Sequence, residues 1–264
     1  MEVLGYIGAL LIGLILGLIG SGGSVLAVPI FIYLFLLDEK IATAYSLFVV
    51  GSTSLVGSLS YSKKKMINWN QVLLFGVPSV ISVVLVRNFL MPYIPEVITS
   101  ISGYNVSRRT LILGLFSILL ILSSIMMFNN KKSKPSRRDL NYLKIISEGS
   151  LVGALTGLIG AGGGFLIIPS LVILGKLPMK EAVGTSLVII SLKSLLGFFF
   201  GDAFLYQIDW TLILKFTFIS ILGIFIGNYF SVFINANLLK KIFGVFIFIV
   251  GFLIITNELI NLQI

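Results

Sequence analysis

Apolar residues follow one another in eight long runs along this chain, separated by short polar segments. The eight runs cover Val3–Leu37, Ile41–Ser62, Asn70–Leu90, Thr110–Phe128, Ser147–Leu174, Glu181–Phe200, Trp210–Phe233 and Leu238–Thr256. A helix needs roughly 20 apolar residues to cross the ~30 Å hydrocarbon core of a bilayer, and most runs meet or approach that length. The pattern predicts an all-α, polytopic membrane protein.

The first and fifth runs are interrupted by glycine clusters. Val3–Leu37 would be roughly 50 Å long as one helix, which exceeds a single straight crossing. The cluster Gly20–Gly23 breaks this run, and Gly160–Gly164 breaks Ser147–Leu174, because glycine is unfavourable inside a helix. Two interpretations remain open for each run. It is either a kinked spanning helix or a re-entrant hairpin whose tip stops near the membrane midplane.

The chain repeats itself at an offset of 140 residues. Residues 17–57 align without a gap with residues 157–197, and 17 of the 41 aligned positions are identical. The identities place glycine, proline and serine in register, which a general apolar bias would not do. The match resumes at Asn68 and Asp209 with an offset of 141. The sequence therefore predicts two homologous membrane repeats, residues 1–128 and 147–264, joined by a basic cytoplasmic linker at residues 129–146.

Basic residues are distributed unequally among the connecting segments. If each half contains one hairpin and three crossings, the second half is inverted relative to the first, and thirteen basic residues fall on one side against three on the other. The thirteen are Lys63, Lys64, Lys65, Lys131, Lys132, Lys134, Arg137, Arg138, Lys144, Lys176, Lys180, Lys240 and Lys241. Eight full crossings would divide all sixteen of these basic residues nine to seven. Because cytoplasmic loops are enriched in Lys and Arg, the pattern favours hairpins and an inverted repeat.

The glycine clusters form the predicted binding site. Non-helical backbone at membrane depth survives where it is buried or lines a cavity. A helix that begins there offers unpaired amide groups and a partial positive charge, which suit an oxyanion. The predicted site comprises Gly20, Ser21, Gly22, Gly23, Ser24, Ser46, Gly160, Ala161, Gly162, Gly163, Gly164, Thr185, Ser186 and Lys193, with Pro29 and Pro169 as structural hinges. The alternative is that the glycines only allow close helix packing.

Apart from Lys240 and Lys241 at the start of the last run, three basic residues lie inside apolar runs. Lys193 is far from either end of its run, and its counterpart in the first half is Thr53. Because an intramembrane charge is costly, we expect Lys193 to line or gate the anion path, with a structural lysine bound to buried carbonyls as the alternative. Arg87 and Lys215 lie about one turn from a helix end, and we expect both to snorkel to the outer surface.

Composition excludes several classes of function. The chain has 264 residues, of which 57% are apolar and 11% charged, with no cysteine and no histidine. Disulfides, thiolate chemistry, haem and most zinc or copper sites are thereby excluded, and we expect no cofactor and no enzymatic activity. The net charge of +9 resides mostly in loops, so we expect a lipid bilayer and a small anion as partners rather than nucleic acid. Homo-oligomerisation stays open.

The duplicated pattern G-x-I-G-x-G-G-x4-V/I-P, each time followed by A-x3-S-L, resembles the TauE/SafE family of sulfite and organosulfonate exporters. The two copies are Gly17–Pro29 with Ala42–Leu47, and Gly157–Pro169 with Ala182–Leu187. The second copy is the closer match, since the first has Ser24 in place of a glycine. The resemblance implies a secondary or passive permease of the cell membrane for sulfite, an organosulfonate or a related oxyanion. An anion channel and a non-transporting membrane scaffold are the alternatives.

Overall fold

The computed structural model describes residues 2–101, 104–128, 142–231 and 233–262. The first half forms α1 (Glu2–Ile19), α2 (Ser24–Tyr33), α3 (Glu39–Lys63), α4 (Trp69–Tyr93) and α5 (Arg108–Phe128), with two short antiparallel strands, β1 (Val97–Ile101) and β2 (Tyr104–Ser107), before α5. The second half forms α6 (Tyr142–Ile159), α7 (Gly164–Ile173), α8 (Met179–Asp202), α9 (Trp210–Ser231) and α10 (Ala236–Leu262). The all-α prediction is confirmed. Most of the predicted linker, residues 129–141, lies outside the described residues.

Seven of the described helices are long and apolar enough to cross a membrane. They are α3, α4, α5, α6, α8, α9 and the segment Lys241–Glu258 of α10. Large apolar side chains such as Phe218, Phe225 and Leu253 are exposed on the outside of the bundle, where lipid would cover them. The chain is therefore a multi-pass integral membrane protein.

Both glycine-broken segments fold back on themselves. In the first, the rings of Tyr6 on α1 and Phe35 after α2 lie 6.0 Å apart in an edge-to-face contact. One continuous helix would separate these two residues by roughly 40 Å. In the second, the Ser170 hydroxyl of α7 donates a hydrogen bond of 2.5 Å to Glu148 of α6. Each segment is thus a hairpin with one limb of 18 residues and one of 10.

The long limb of each hairpin packs on the opposite half. A Cβ atom on Gly13 of α1 would lie 1.8 Å from the carbonyl oxygen of Ser220 on α9, so the two backbones are in direct contact. A Cβ atom on Gly153 of α6 would lie 2.4 Å from the carbonyl oxygen of Ser79 on α4. The two contacts are related by offsets of 140 and 141 residues, the same as in the sequence repeat. The halves are therefore interlocked through equivalent positions.

Hydrogen bonds group the connecting segments into two ends of the bundle. At one end, Arg108 at the start of α5 pairs with Glu39 at the start of α3 at 2.5 Å, and the Tyr45 hydroxyl accepts a hydrogen bond from the Asp209 amide at 2.6 Å. At the other end, the Asn68 amide donates to the Thr185 hydroxyl at 2.9 Å. This grouping agrees with the sorting of loops by charge. The orientation of the two halves in the membrane remains a prediction.

Two of the spanning helices contain π-helical turns. In α4 these turns cover Val72–Gly76 and Val86–Leu90, and α8 ends with one at Phe198–Asp202. A π-helical turn inserts one extra residue into the helix and frequently marks a functional site. The turns at Val86–Leu90 and Phe198–Asp202 lie against each other and join the two halves, because the Asn88 side-chain amide donates to the Phe200 carbonyl at 2.8 Å.

Candidate functional site: the paired helix breaks

The first break is a tight turn that leads into a helix whose first amides are paired. Gly20 has a φ of +82°, and a Cβ atom there would lie 2.4 Å from Val183. The amides of Ser24, Val25 and Leu26 each donate to the carbonyl three residues earlier, at 3.1 to 3.2 Å. The start of α2 therefore differs from the sequence expectation, because its first amides are not free to bind a ligand.

The second break is more open in its hydrogen bonding. Gly160, Gly162 and Gly163 have φ values of +72°, +63° and +68°. The Gly163 carbonyl accepts hydrogen bonds from the amides three and four residues later. Within the described chain, the amides of Gly164 and Phe165 donate to no backbone carbonyl. The start of α7 therefore has the unpaired donors that the sequence led us to expect.

The difference between the two copies comes from one glycine and one serine. Gly23 has right-handed helical torsions, with φ −63° and ψ −30°, whereas its counterpart Gly163 is left-handed. The Ser24 hydroxyl also donates to the Ser21 carbonyl at 2.7 Å, which stabilises the first turn as a helical one. Gly164 has no such hydroxyl. The breaks are equivalent in sequence position but not in the donors they leave unpaired.

The two breaks are in contact inside the bundle. A Cβ atom on Gly164 would lie 2.2 Å from the Cβ of Ser21, and one on Gly162 would lie 3.4 Å from the Cβ of Ser24. Every residue from position 20 to 25 and from position 160 to 165 is buried. The non-helical backbone is thus enclosed by protein, as it must be in a membrane.

Helices α3 and α8 surround the breaks in matching ways. Thr43 of α3 lies against Gly160, and its counterpart Val183 lies against Gly20. The Ser186 hydroxyl donates to the Val183 carbonyl at 2.8 Å and lies 3.4 Å from the carbonyl oxygen of Gly20. Ser186 is therefore close to the first break. The predicted site residue Thr185 instead faces the start of α4, where it accepts the amide hydrogen bond described above.

Pro29 and Pro169 lie inside the short limbs, and both helices continue beyond them. Proline has no N–H group, so Pro169 leaves the Phe165 carbonyl without its usual donor four residues later. The Ser123 hydroxyl of α5 donates to this carbonyl instead. Whether either proline acts as a hinge remains a prediction.

Lys193 lies at the second break. Its side chain is 1% exposed, and Nζ donates a hydrogen bond of 2.7 Å to the Thr156 hydroxyl. A Cβ atom on Gly163 would lie 2.7 Å from Nζ, so the ammonium group approaches the bare backbone of the break. The positions equivalent to Lys193 and Thr156 in the first half are Thr53 and Leu16, neither of which is charged. Only the second break has this lysine.

Buried hydroxyl groups without partners lie in the first break and on the helices around the two breaks. They belong to Ser21, Ser46, Thr53, Ser54 and Ser194, and each hydroxyl lacks a hydrogen-bond partner among the described residues. Ser54 and Ser194 occupy equivalent positions in the two repeats. A buried polar group without a partner is unfavourable, which makes these side chains available to a polar ligand.

The expectation that Arg87 snorkels to the outer surface is wrong. Its side chain is fully buried, and Nε lies 3.2 Å from Oδ2 of Asp202, which is also fully buried. Lys215, in contrast, is exposed. The sequence offered one signal for this pairing. Arg87 lies inside one apolar run, and Asp202 lies just beyond the end of a second apolar run. Deciding between pairing and snorkelling required knowing that the two helix ends meet.

Broken helices that meet at the centre of an all-α bundle place polar backbone at membrane depth, where transporters bind their substrates. Together with the relatives described next, this architecture defines the chain as a membrane transporter and not an enzyme. The chain belongs to the sulfite exporter TauE/SafE family, whose sequence profile matches residues 6–254.

Three relatives illustrate the similarity to known proteins, and each is called a probable membrane transporter protein. One from Xylella fastidiosa (strain 9a5c) is 26% identical over 256 residues, which is 93% of this chain and 91% of the relative. One from Methanocaldococcus jannaschii is 32% identical over 71% of this chain and 69% of its own length. YunE of Bacillus subtilis is 27% identical over 71% and 73%. No solved structure matches the chain significantly.

Proposed function

We propose that this transporter carries a small oxyanion, either sulfite, an organosulfonate or a related anion, and that the anion binds at the paired breaks, mainly at the second. The proposal rests on the position of Lys193. Its ammonium group is buried beside the unpaired amides of the second break and has no carboxylate partner among the described residues.

An ammonium group at this depth is costly unless its three donors are satisfied. Among the described residues, the Thr156 hydroxyl is the one acceptor of a Lys193 hydrogen bond. A sulfite or sulfonate group has three oxygens, so it can accept from the ammonium group, from the Gly164 and Phe165 amides and from a nearby hydroxyl together. Charge-assisted hydrogen bonds of this kind are roughly twice as strong as neutral ones.

Burial of both breaks favours a carrier over an open channel. All the residues of the two breaks are enclosed in this conformation, so an anion bound there is shielded from both surfaces. A carrier exposes such a site to one side at a time and therefore saturates with substrate. The chain contains no nucleotide-binding sequence, and transport is therefore secondary or passive.

Flux into proteoliposomes tests the proposal. We expect saturable uptake of sulfite and methanesulfonate by the wild-type protein, and little uptake of a cation such as choline. Lys193→Met should abolish anion flux, since it removes the buried charge at similar side-chain length. The matched control is Lys215→Met, because Lys215 is exposed on α9.

Three outcomes would count against parts of this proposal. Anion flux by Lys193→Met at the wild-type rate would remove the lysine from the site. Flux that rises linearly with concentration would indicate a channel. Absence of oxyanion flux in a correctly folded wild-type protein would exclude this substrate class.

A further inference from the structure

A second buried cation lies close to the second break. Arg87, on a π-helical turn of α4, donates from Nη1 to the Thr43 hydroxyl at 3.1 Å. Thr43 lies directly against Gly160, where a Cβ atom would be 2.3 Å from that of Thr43. Lys193 approaches the same break at Gly163. The two buried cations therefore flank the two ends of one glycine cluster.

The ion pair between Arg87 and Asp202 is incompletely hydrogen-bonded. Although Nε and Oδ2 are 3.2 Å apart, neither Nε nor Nη2 of Arg87 makes a hydrogen bond of good geometry within the described chain. Both carboxylate oxygens of Asp202 are likewise without one. A buried ion pair compensates its loss of hydration only when such bonds are formed. The guanidinium group therefore retains donors for another anion.

The surroundings of Asp202 provide a further donor. The Tyr206 hydroxyl, in the segment after α8, is buried without a hydrogen-bond partner among the described residues. Burial is the main cause that raises the pKa of Tyr206, and the nearby Asp202 carboxylate raises it further. The hydroxyl therefore stays protonated at neutral pH. Arg108 and Asp38 at the end of the bundle lie within electrostatic range of the same tyrosine. Polar groups thus extend from this end of the bundle to the Arg87–Asp202 pair.

The first break has no equivalent of this arrangement. The position matching Arg87 at the offset of 141 is Asn228, whose side-chain amide lies 3.4 Å from the Ser60 hydroxyl. The position matching Lys193 is Thr53. Both cations beside the breaks therefore belong to the second break, the one that also leaves the amides of Gly164 and Phe165 unpaired.

We propose that Arg87 is a second anion-binding residue of the transport path, and that the Asp202 carboxylate occupies its guanidinium group until the translocating oxyanion replaces it. This inference rests on the proposed function. Its ligand is an oxyanion with at least two oxygens available, because the planar guanidinium group binds such anions through two parallel hydrogen bonds. Exchange of one anion for another leaves the buried arginine neutralised throughout transport.

Equilibrium binding of sulfite to purified protein, measured by calorimetry, tests the exchange. Arg87→Gln should weaken binding at least about tenfold, the effect expected for losing charge-assisted hydrogen bonds. Asp202→Asn should tighten binding several-fold, because it removes the competing carboxylate. The double variant Arg87→Gln/Asp202→Asn should bind as weakly as Arg87→Gln. The matched control is Arg109→Gln, since Arg109 pairs with Glu258 and is 39% exposed in its side chain. We expect it to bind like wild type.

The double variant separates this role from a structural one. If the ion pair only holds the two halves together, a pair of neutral amides in its place should restore wild-type binding, and that result would overturn the proposal. Unchanged or weaker binding by Asp202→Asn would also overturn it. Should the Arg87 variants fail to run as a single species on size exclusion, Asp202→Asn decides the matter alone. A wild-type protein that neither binds nor transports sulfite or methanesulfonate overturns this inference and the proposed function together.

Discussion

At the scale of single residues, Gly163 meets two requirements that no other residue type would satisfy. Its φ is +68°, and a Cβ atom there would lie 2.1 Å from the Thr156 methyl group as well as 2.7 Å from the Lys193 nitrogen. Glycine adopts this torsion without steric penalty and leaves room for the ammonium group beside the backbone. The approach of Lys193 to the break therefore depends on a missing side chain.

Replacing Gly163 by alanine should lower both stability and transport. The left-handed torsion costs an alanine about 1–2 kcal/mol, and overpacking adds about 1–3 kcal/mol. We expect a lower melting temperature in detergent and reduced sulfite flux. Gly114→Ala on α5 is the control, because a Cβ atom there meets nothing within 4 Å. Equal behaviour of the two variants would show that the space beside Gly163 is dispensable.

Features at the breaks differed in how well the sequence predicted them. The interruption of both helices and the depth of Lys193 were predicted because helix breaking and intramembrane charge are local signals. The burial of Arg87 depends on Asp202, which lies more than a hundred residues away on the other half. The Ser24 amide is paired because Gly23 has right-handed torsions. The sequence Gly22-Gly23 does not determine which torsions these glycines adopt. These last two features required three-dimensional contacts.

At the scale of helices, Ser123 and Pro169 form a compensating pair between α5 and α7. Ser123→Ala should destabilise the protein by about 1–3 kcal/mol, because the Phe165 carbonyl would then be buried without a donor. Adding Pro169→Ala supplies a backbone N–H group for that carbonyl, so the double variant should recover much of the loss. Thermal unfolding of the three variants measures the effect. A double variant no more stable than Ser123→Ala would show that the proline is not the cause of the unpaired carbonyl.

Helix positions were predicted from the sequence, whereas the packing of one helix on another was not. The apolar runs correspond to the described helices because the thickness of a bilayer fixes their length. The distribution of basic residues already favoured hairpins over kinked helices, and contacts such as that of Tyr6 with Phe35, which no local pattern specifies, show the fold-back directly. The sequence also gave no indication that α1 would pack on α9 and α6 on α4.

At the scale of the whole molecule, the inverted arrangement predicts which loops share a side of the membrane. We expect Lys65→Cys and Lys176→Cys to react with a membrane-impermeant maleimide from the cytoplasmic side, and Gln207→Cys from the outside. The natural chain has no cysteine, so each variant has a single reactive group. Labelling of intact cells and of inside-out vesicles distinguishes the sides. Reaction of the two lysine replacements from opposite sides would exclude inversion.

The interlocked hairpins have a consequence for a chain that contained one repeat alone. Such a chain would expose the glycine face of its long limb, because the surface that covers Gly13 or Gly153 comes from the other half. It could bury that face only by pairing with a second identical chain. In the predicted inverted arrangement, the two copies would also have to insert in opposite directions. Fusion into one polypeptide allows each repeat to keep a single orientation and permits cations from both repeats to gather at only one of the two breaks.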